Sequence, residues 1–376
     1  MNNLISLKNT EHINILNKIN DFNDPQRIYI PINFLEKNIK IKEYVYKNTY
    51  FKNYVSSVSG SVSGVEQLIF NKINSDCVVI DNDYKENINS RNKKIKINSK
   101  KELLELLEKY KLDSILRKIL NLKNIDNLVI CSIDEEYYSV KEFIILVNNY
   151  REILDTIDLL KKIFLVNDAL IVTKNTDFNS IKNVKSIIGT YPDIKITLAP
   201  DKYLIGHKEF LCKYLNVLED DTLILKTSDI WKIYSILNGK DINSTIITIS
   251  GNAIEKCLII NTKLGVSLKE LLKKFVNITS LDYEIYINGF MQGYKINKND
   301  DLVINDNIDY IVINKIVFKE TLECINCGAC NKICPYNINI KKCYENKLFS
   351  KKCNGCGLCN YICPANINLK EIVMSD

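Results

Sequence analysis

The chain has 376 residues, 46% of them hydrophobic and 26% charged, a balance that excludes a disordered or fibrous protein and predicts several globular domains. Net charge is +6, from 51 basic and 45 acidic residues spread along the chain without a basic block or a basic–aromatic stripe, so nucleic acid is not an expected partner. No apolar run approaches the roughly 18 residues that span a bilayer, and MNNLISLKNTEH lacks an export pattern. The expectation is a cytoplasmic protein that meets the inner face of a membrane, if at all, through partners.

In chain order, residues 1–25 read as a polar leader with a short amphipathic helix carrying Ile15, Leu16 and Ile19. Residues 26–98 read as short strands: Arg27–Pro31 alternates, Glu43–Tyr50 is rich in Tyr and Val, and Asp76–Ile80 is a short apolar run. The Ser/Gly run 56–64 reads as a hairpin tip, and the whole as a small barrel or sandwich. From 99 to 240 the period changes. Leu103, Leu106, Leu107, Ile115 and Leu116 form a helical stripe, followed by a strand at Leu128–Cys131 and a long helix over about 140–165. A strand at Ala169–Val172, a short helix near 179–188, a strand at Ile194–Leu198 and a helix near 229–238 complete an order that predicts a parallel α/β sheet. Residues 241–317 return to short strands around one helix near 267–275, a small α+β domain. Residues 318–376 form a cysteine-rich module.

Thirteen cysteines, eight of them in two tight arrays, read as metal ligands rather than disulfides. His12 and His207 are the only histidines, which argues against histidine metal sites and against a Ser-His-Asp triad. The first array is Cys324-x-x-Cys327-x-x-Cys330-x-x-x-Cys334-Pro335, and the second is Cys353-x-x-Cys356-x-x-Cys359-x-x-x-Cys363-Pro364. In this spacing three close thiolates face one iron–sulfur cubane, and the fourth, turned away before proline, ligates the other. Cluster one is therefore assigned to Cys324, Cys327, Cys330 and Cys363, and cluster two to Cys353, Cys356, Cys359 and Cys334. Gly328, Gly355 and Gly357 let backbone amides approach the sulfides. Zinc also takes Cys-x-x-Cys pairs, but it needs neither a third cysteine at the same spacing nor the Cys-Pro ending. Cys77, Cys131, Cys212 and Cys257 read as buried structural thiols and Cys343 as a spare thiol.

With this pair of arrays behind an α/β region, the chain resembles the RnfC-like family, the C subunits of Rnf electron-transport complexes and their relatives, among them the proline reductase-associated electron transfer proteins. Ile28–Pro31, Val55–Val62, Thr248–Ala253, Leu264-Gly265 and Asn288–Gly293 carry the resemblance outside the arrays, in family order over about residues 25–372. It implies a multidomain α/β and α+β fold: a β barrel-sandwich hybrid over 26–98 and an α/β domain like the NADH- and FMN-binding subunit of complex I over 99–240. A β-grasp (SLBB-like) segment over 241–317 and a ferredoxin-like domain with two [4Fe–4S] clusters over 318–376 would follow. Related hybrid domains carry a lipoyl or biotinyl lysine, but no lysine lies between Tyr54 and Phe70.

The middle domain departs from that pattern. The family's glycine-rich phosphate loop should fall around 110–122, where this chain reads Lys111-Leu-Asp-Ser-Ile-Leu-Arg-Lys-Ile-Leu120, and no glycine occurs from Lys101 to Ser180. Of the family's flavin and nucleotide contacts, Asp134, Glu135, Glu136, Tyr138, Tyr203 and Gly206 survive. Lys208 stands where an acid is expected, and Lys226-Thr-Ser-Asp229 replaces an Asn-x-x-Thr contact. Asp134, Glu136, Tyr203 and Gly206 are the candidate cofactor-binding residues, although a solvated loop after a strand and a surface loop at Lys202–Lys208 account for them as simply. The chain is expected to lack an NADH site and any catalytic residue of its own, and FMN is left open.

Three functions compete. The first is an electron-transfer protein or subunit passing electrons through two [4Fe–4S] clusters between a donor protein and a partner reductase; loss of the nucleotide loop tilts it toward a soluble adaptor. The second is a flavin-containing, NADH-dependent reductase subunit of an Rnf-type membrane complex, or a corrinoid reductase. The third is a non-redox interaction protein whose clusters are structural.

Overall fold

The computed structural model describes residues 19–35, 39–52, 54–88, 93–136, 139–177, 181–317 and 320–374. It opens with β1 (Ile19–Phe22), where a helix was expected; Ile15 and Leu16 lie outside the described residues. Four strands follow: β2 (Arg27–Pro31), β3 (Tyr44–Val45), β4 (Gly60–Phe70) and β5 (Ile73–Asn82), forming an antiparallel sheet in the order β2-β5-β4-β3. Its core is Ile28, Ile30, Val62 and Val78–Ile80. The Ser/Gly run is not the hairpin tip. Ser57 and Ser59 are buried and tied down, Ser57 donating to the Leu264 carbonyl at 2.6 Å and Ser59 to Asp83 at 2.7 Å. Gly60 sits in the strand where a Cβ would meet the Asp81 carbonyl oxygen at 1.9 Å. The tip is Asn71-Lys72, with φ of 48° and 72°, a two-residue left-handed turn of the kind that suits the strand twist.

Two helices, α1 (Lys100–Lys109) and α2 (Asp113–Leu120), lead into a second sheet. Ser99 caps α1 by accepting from the Glu102 amide at 3.3 Å. Next come β6 (Asn127–Cys131), α3 (Lys141–Asn148), α4 (Tyr150–Phe164), β7 (Ala169–Lys174), α5 (Lys182–Ile188), β8 (Ile194–Ala199), α6 (Lys208–Leu215), β9 (Thr222–Lys226) and α7 (Thr227–Leu237). The expected long helix is broken at Asn149 into α3 and α4. All four strands are parallel, in the order β8-β7-β6-β9. The chain leaves β6 toward β7 on one side and returns as β9 on the other, so the switch point lies outside the carboxyl ends of β6 and β9, where α/β sheets open a crevice.

The third sheet holds β10 (Ser244–Ser250), β11 (Leu258–Lys263), β12 (Tyr283–Ile287), β13 (Tyr294–Ile296) and β14 (Tyr310–Lys315), with α8 (Leu268–Phe275) between β11 and β12. Its order is β1-β11-β10-β14-β12-β13, with β10 and β14 a parallel central pair flanked by antiparallel neighbours. β1 adds to the edge, parallel to β11. Ser267 caps α8, whose Leu268, Leu271 and Leu272 are buried on the sheet, each contributing about 2 kcal/mol by leaving water.

Four short helices end the chain: α9 (Ala329–Ile333), α10 (Ile340–Asn346), α11 (Leu358–Ile362) and α12 (Leu369–Val373). They form two copies of one unit, each array cysteine of the first recurring 29 positions later, as Cys324 does at Cys353. The copies share their bonds: Asn331 and Asn360 accept from the amides of Lys341 and Lys370 at 2.9 and 2.7 Å, and donate to Asn339 and Asn368.

Candidate metal centre and adjoining crevice

The eight array thiols divide between the two copies. Cys324, Cys327, Cys330 and Cys363 line a single pocket, together with Ile325, Lys341 and Pro364. Asn326 and Gly328, at φ of 57° and 68°, turn the backbone around that cavity, and a Cβ on Gly328 would meet nothing within 4 Å. Cys334 and Cys359 are buried in one apolar core, against which Cys324, Cys330, Cys353 and Cys363 also pack. Burial is the main cause pushing the Cys353 and Cys356 thiols upward, and the charge of nearby Cys334 adds to it in both. Among the described residues, no three His, Cys, Asp or Glu side chains are arranged to hold a single metal ion.

The two halves differ in exposure. Cys327 is exposed, with Ile325 beside it 62% exposed, whereas Cys334, Cys356 and Cys359 are buried. The second half is pressed against the body of the molecule. Tyr203, 1% exposed, donates from its hydroxyl to the Cys356 carbonyl at 2.8 Å. Gly357, at φ 77°, leaves no room for a Cβ, which would meet the Met291 carbonyl oxygen at 2.3 Å. Lys370 donates to the carbonyls of Met291 and Gly293 at 3.0 and 3.3 Å. Asn354 donates to the Tyr336 hydroxyl, which donates to Glu209 on α6. The expectation of a surface loop at Lys202–Lys208 is corrected for Tyr203, which is a buried strut. Cys77, Cys131, Cys212 and Cys343 are buried, but Cys257 is only half-buried.

Behind that interface, the switch point opens into a crevice of about 220 Å³ lined by Asp134, Glu135, Glu136, Lys226, Asp309 and the hairpin-tip Lys72, among others. Asp134 accepts from Ser139 Oγ at 2.7 Å and from the Glu142 amide at 3.2 Å, which caps α3. Burial, then the Glu142 charge, pushes its carboxyl up to about 7. Glu142 accepts from Thr227 Oγ1 at 2.8 Å, the Ser228 amide at 2.8 Å and Ser228 Oγ at 2.7 Å. Lys226 pairs with Glu135 at 2.9 Å. Burial works against the charge on Lys226, but Glu135, Glu142 and Asp309 outweigh it and hold its pKa above the ordinary lysine value. Glu136 is buried and accepts from the Gln292 amide at 2.8 Å.

Asp134 and Glu136 thus share the crevice, while Tyr203 points to the cysteine module and Gly206 packs against the Ile133 and Asp134 carbonyls. Tyr138 lies outside the described residues. The stretch 110–122 contains α2, with Ile115 and Ile119 fully buried and Lys118 paired to Asp229 at 2.6 Å; it offers no turn of free amides to a phosphate. Spacing alone gave no sign of Asp309 as a crevice residue, and Lys226 entered only through the altered Asn-x-x-Thr segment, because the order of the strands gathers them.

No protein-family model matches the chain. Among curated proteins, the C subunit of the ion-translocating oxidoreductase complex from Buchnera aphidicola subsp. Acyrthosiphon pisum is 22% identical over 242 residues, 60% of this chain and 50% of that protein. The protein of the same name from Citrobacter koseri is 21% identical over 233 residues, 58% of this chain and 33% of that protein. The chain's curated relatives are C subunits of ion-translocating oxidoreductase complexes. The match spans half or less of the length of these relatives. An NAD+-reducing [NiFe]-hydrogenase solved in the air-oxidized state aligns at a TM-score of 0.46 and 12% identity, over 57% of this chain and 46% of that one. No helix among the described residues is long and apolar enough to cross a membrane.

Proposed function

We propose that the chain is an iron–sulfur electron-transfer protein or subunit, passing electrons through two [4Fe–4S] clusters between a redox donor and a partner reductase. Cys324, Cys327, Cys330 and Cys363 hold the first cluster, and Cys353, Cys356, Cys359 and Cys334 the second. The observations that support this reading are that Cys363 lines the pocket of the first array and that Cys334 lies close enough to Cys353 and Cys356 for its charge to act on both. The donor set fits the groups, since thiolates spaced around a cavity suit a cubane better than a single zinc ion. The clusters supply one-electron chemistry when bound. The chain's own residues hold them at fixed separation, keep water from Cys356 and Cys359, and leave Cys327 at the surface for a partner.

The domain reading is a barrel-sandwich hybrid for the first sheet, a complex-I flavin-subunit-like unit for the parallel sheet, a β-grasp for the sheet of β10–β14 and a ferredoxin-like module at the end. The name of the curated relatives, an oxidoreductase complex, supports membership in a redox assembly, with any membrane contact made through partners. Lys226 and Glu135 pair with each other in the crevice lining, Asp309 is paired with Lys141, and α2 stands where the nucleotide loop is expected. The chain therefore works without its own NADH site. Anaerobically purified protein should bleach reversibly with dithionite, stay coloured with NADH and contain no stoichiometric FMN. Bound FMN with bleaching by NADH would make it a reductase instead, and clusters that no reductant changes would make them structural.

A further inference from the structure

Of the four thiols assigned to the second cluster, Cys334, Cys356 and Cys359 are buried and Cys353 is half-buried. Lys351 and Lys352, both exposed, directly precede Cys353. They end the segment Lys341–Lys352, which holds five lysines and one glutamate. No more than two of these lysines are adjacent, so no basic block stands out in the sequence, and the near-balance of the whole chain conceals the local excess. Lys341 pairs with Glu345 at 3.6 Å, whereas Lys342, Lys347, Lys351 and Lys352 are exposed and form no ion pair among the described residues. The segment is fixed in place. Lys347 ends α10 at φ 51°, the Leu348 amide donates to the Cys343 carbonyl, the Ser350 amide to the Val373 carbonyl and the Cys353 amide to the Ser350 carbonyl, each at 2.9 Å. That turn leaves Leu348 and Phe349 outside among the lysines, 48% and 60% exposed.

Electron transfer weakens steeply with distance, so a partner of the second cluster has to approach where its cover is thinnest. Tyr203, Met291 and Lys370 close the side toward the body, and Cys353 with its lysines is the side left open. Unneutralised lysines at that opening attract carboxylates and steer an acidic surface toward the thiol. Exposed apolar side chains ringed by charge mark a protein contact. A membrane contact needs an apolar helix face, which two residues in a turn do not supply. We propose that Lys342, Lys347, Lys351 and Lys352, with Leu348 and Phe349 among them, form the docking face of the second cluster for an acidic one-electron partner protein, one that carries carboxylates around an apolar spot near its own redox centre. This rests on the two-cluster reading and adds to it the face and the charge of one partner.

The test mixes full-length, cluster-loaded protein, reduced with dithionite and freed of the excess, with an acidic acceptor, flavodoxin, or a basic one, cytochrome c, in an anaerobic stopped-flow experiment. One electron leaves a reduced cluster and enters the flavin, which takes a proton from water to become the semiquinone, or enters the ferric haem. The rate constant with flavodoxin should fall about tenfold from low to high salt, and that with cytochrome c should not fall. The triple variant Lys347→Glu, Lys351→Glu, Lys352→Glu should slow flavodoxin reduction about tenfold at low salt and abolish its salt dependence, with iron content unchanged. Added negative charge lowers a nearby cluster's potential and by itself speeds donation, so slower transfer reports docking. If the charge reversals cost iron, the same three positions changed to Gln should give a smaller drop in the same direction. Phe349→Ser should slow the reaction several-fold and keep the salt dependence. A flavodoxin rate that ignores salt, or that the triple variants leave unchanged or raise, would overturn the proposal. So would an unchanged rate together with loss of the parent chain's binding to phosphatidylglycerol vesicles, which would give the face to a membrane. Failure of the electron-transfer reading itself looks different, with no electron reaching either acceptor.

Discussion

Asp134 and Lys141 are neighbours in the fold with opposite consequences for stability. The Asp134 carboxyl is raised from 3.8 to about 7, first by burial and then by Glu142. A carboxyl whose folded pKa exceeds its unfolded one costs stability as pH climbs past the unfolded value. The cost grows from about pH 4 to about pH 7 and is constant above. Asp134→Asn removes it while keeping an acceptor for Ser139. Denaturation followed at Trp231 should show the variant gaining on the parent chain across that interval and holding the gain above it. Lys141 behaves otherwise. Burial opposes its charge, but Asp309, Asp306 and Glu142 overcome this and hold its pKa up. Lys141→Met strands Asp309 without its cation, and we expect a loss of roughly 3 kcal/mol, read from the same unfolding curve. An unchanged midpoint would mean that the Lys141–Asp309 pair does not hold the α/β region to the neighbouring sheet.

The strands that sequence reading found are those whose pattern is local. Arg27–Pro31 stands as read, and Leu128–Cys131 gains only Asn127, because alternation or an apolar run marks them without help from the rest of the fold. The hairpin tip at Asn71-Lys72 went unseen because it has no glycine, while the Ser/Gly run at 56–64 drew attention through composition. Those residues are small because they are buried against Leu264 and the Asp81 backbone, not because they turn. β1 was misread for a different reason: Ile19–Phe22 becomes a strand only because the edge of β11, some 240 residues later, is there to pair with it. The two cysteine arrays were legible because their spacing is local in the sequence. The crevice was not, since it is a product of strand order. At this scale Gly357 gives the sharpest prediction. Gly357→Ala drives a methyl into the Met291 carbonyl at a left-handed position, so the second array should lose its seat. Iron should fall to about half of the parent value, from two clusters to one; full iron would show that the module tolerates displacement from the body.

Taken whole, the molecule is asymmetric about two equal sites. The copies of the cysteine unit share the bonds of Asn331 and Asn360, yet one faces solvent at Ile325 and Cys327 while the other is clamped by Tyr203, Met291 and Lys370. Chelator or oxygen should therefore remove iron in two phases, the first from the exposed half. Cys327→Ser should abolish that early phase and leave the slow one; a single phase would contradict the asymmetry. The exposed half is also where a partner protein can approach, and the crevice side is where the chain has closed its own pairs. The central claim is that eight thiolates, with the last ligand of each array exchanged, hold two cubanes. Its most direct test is a metal and acid-labile sulfide count on anaerobically purified, full-length protein. About eight iron and eight sulfide per chain, without zinc, is the predicted result; colourless protein with zinc in place of iron and no sulfide would contradict it.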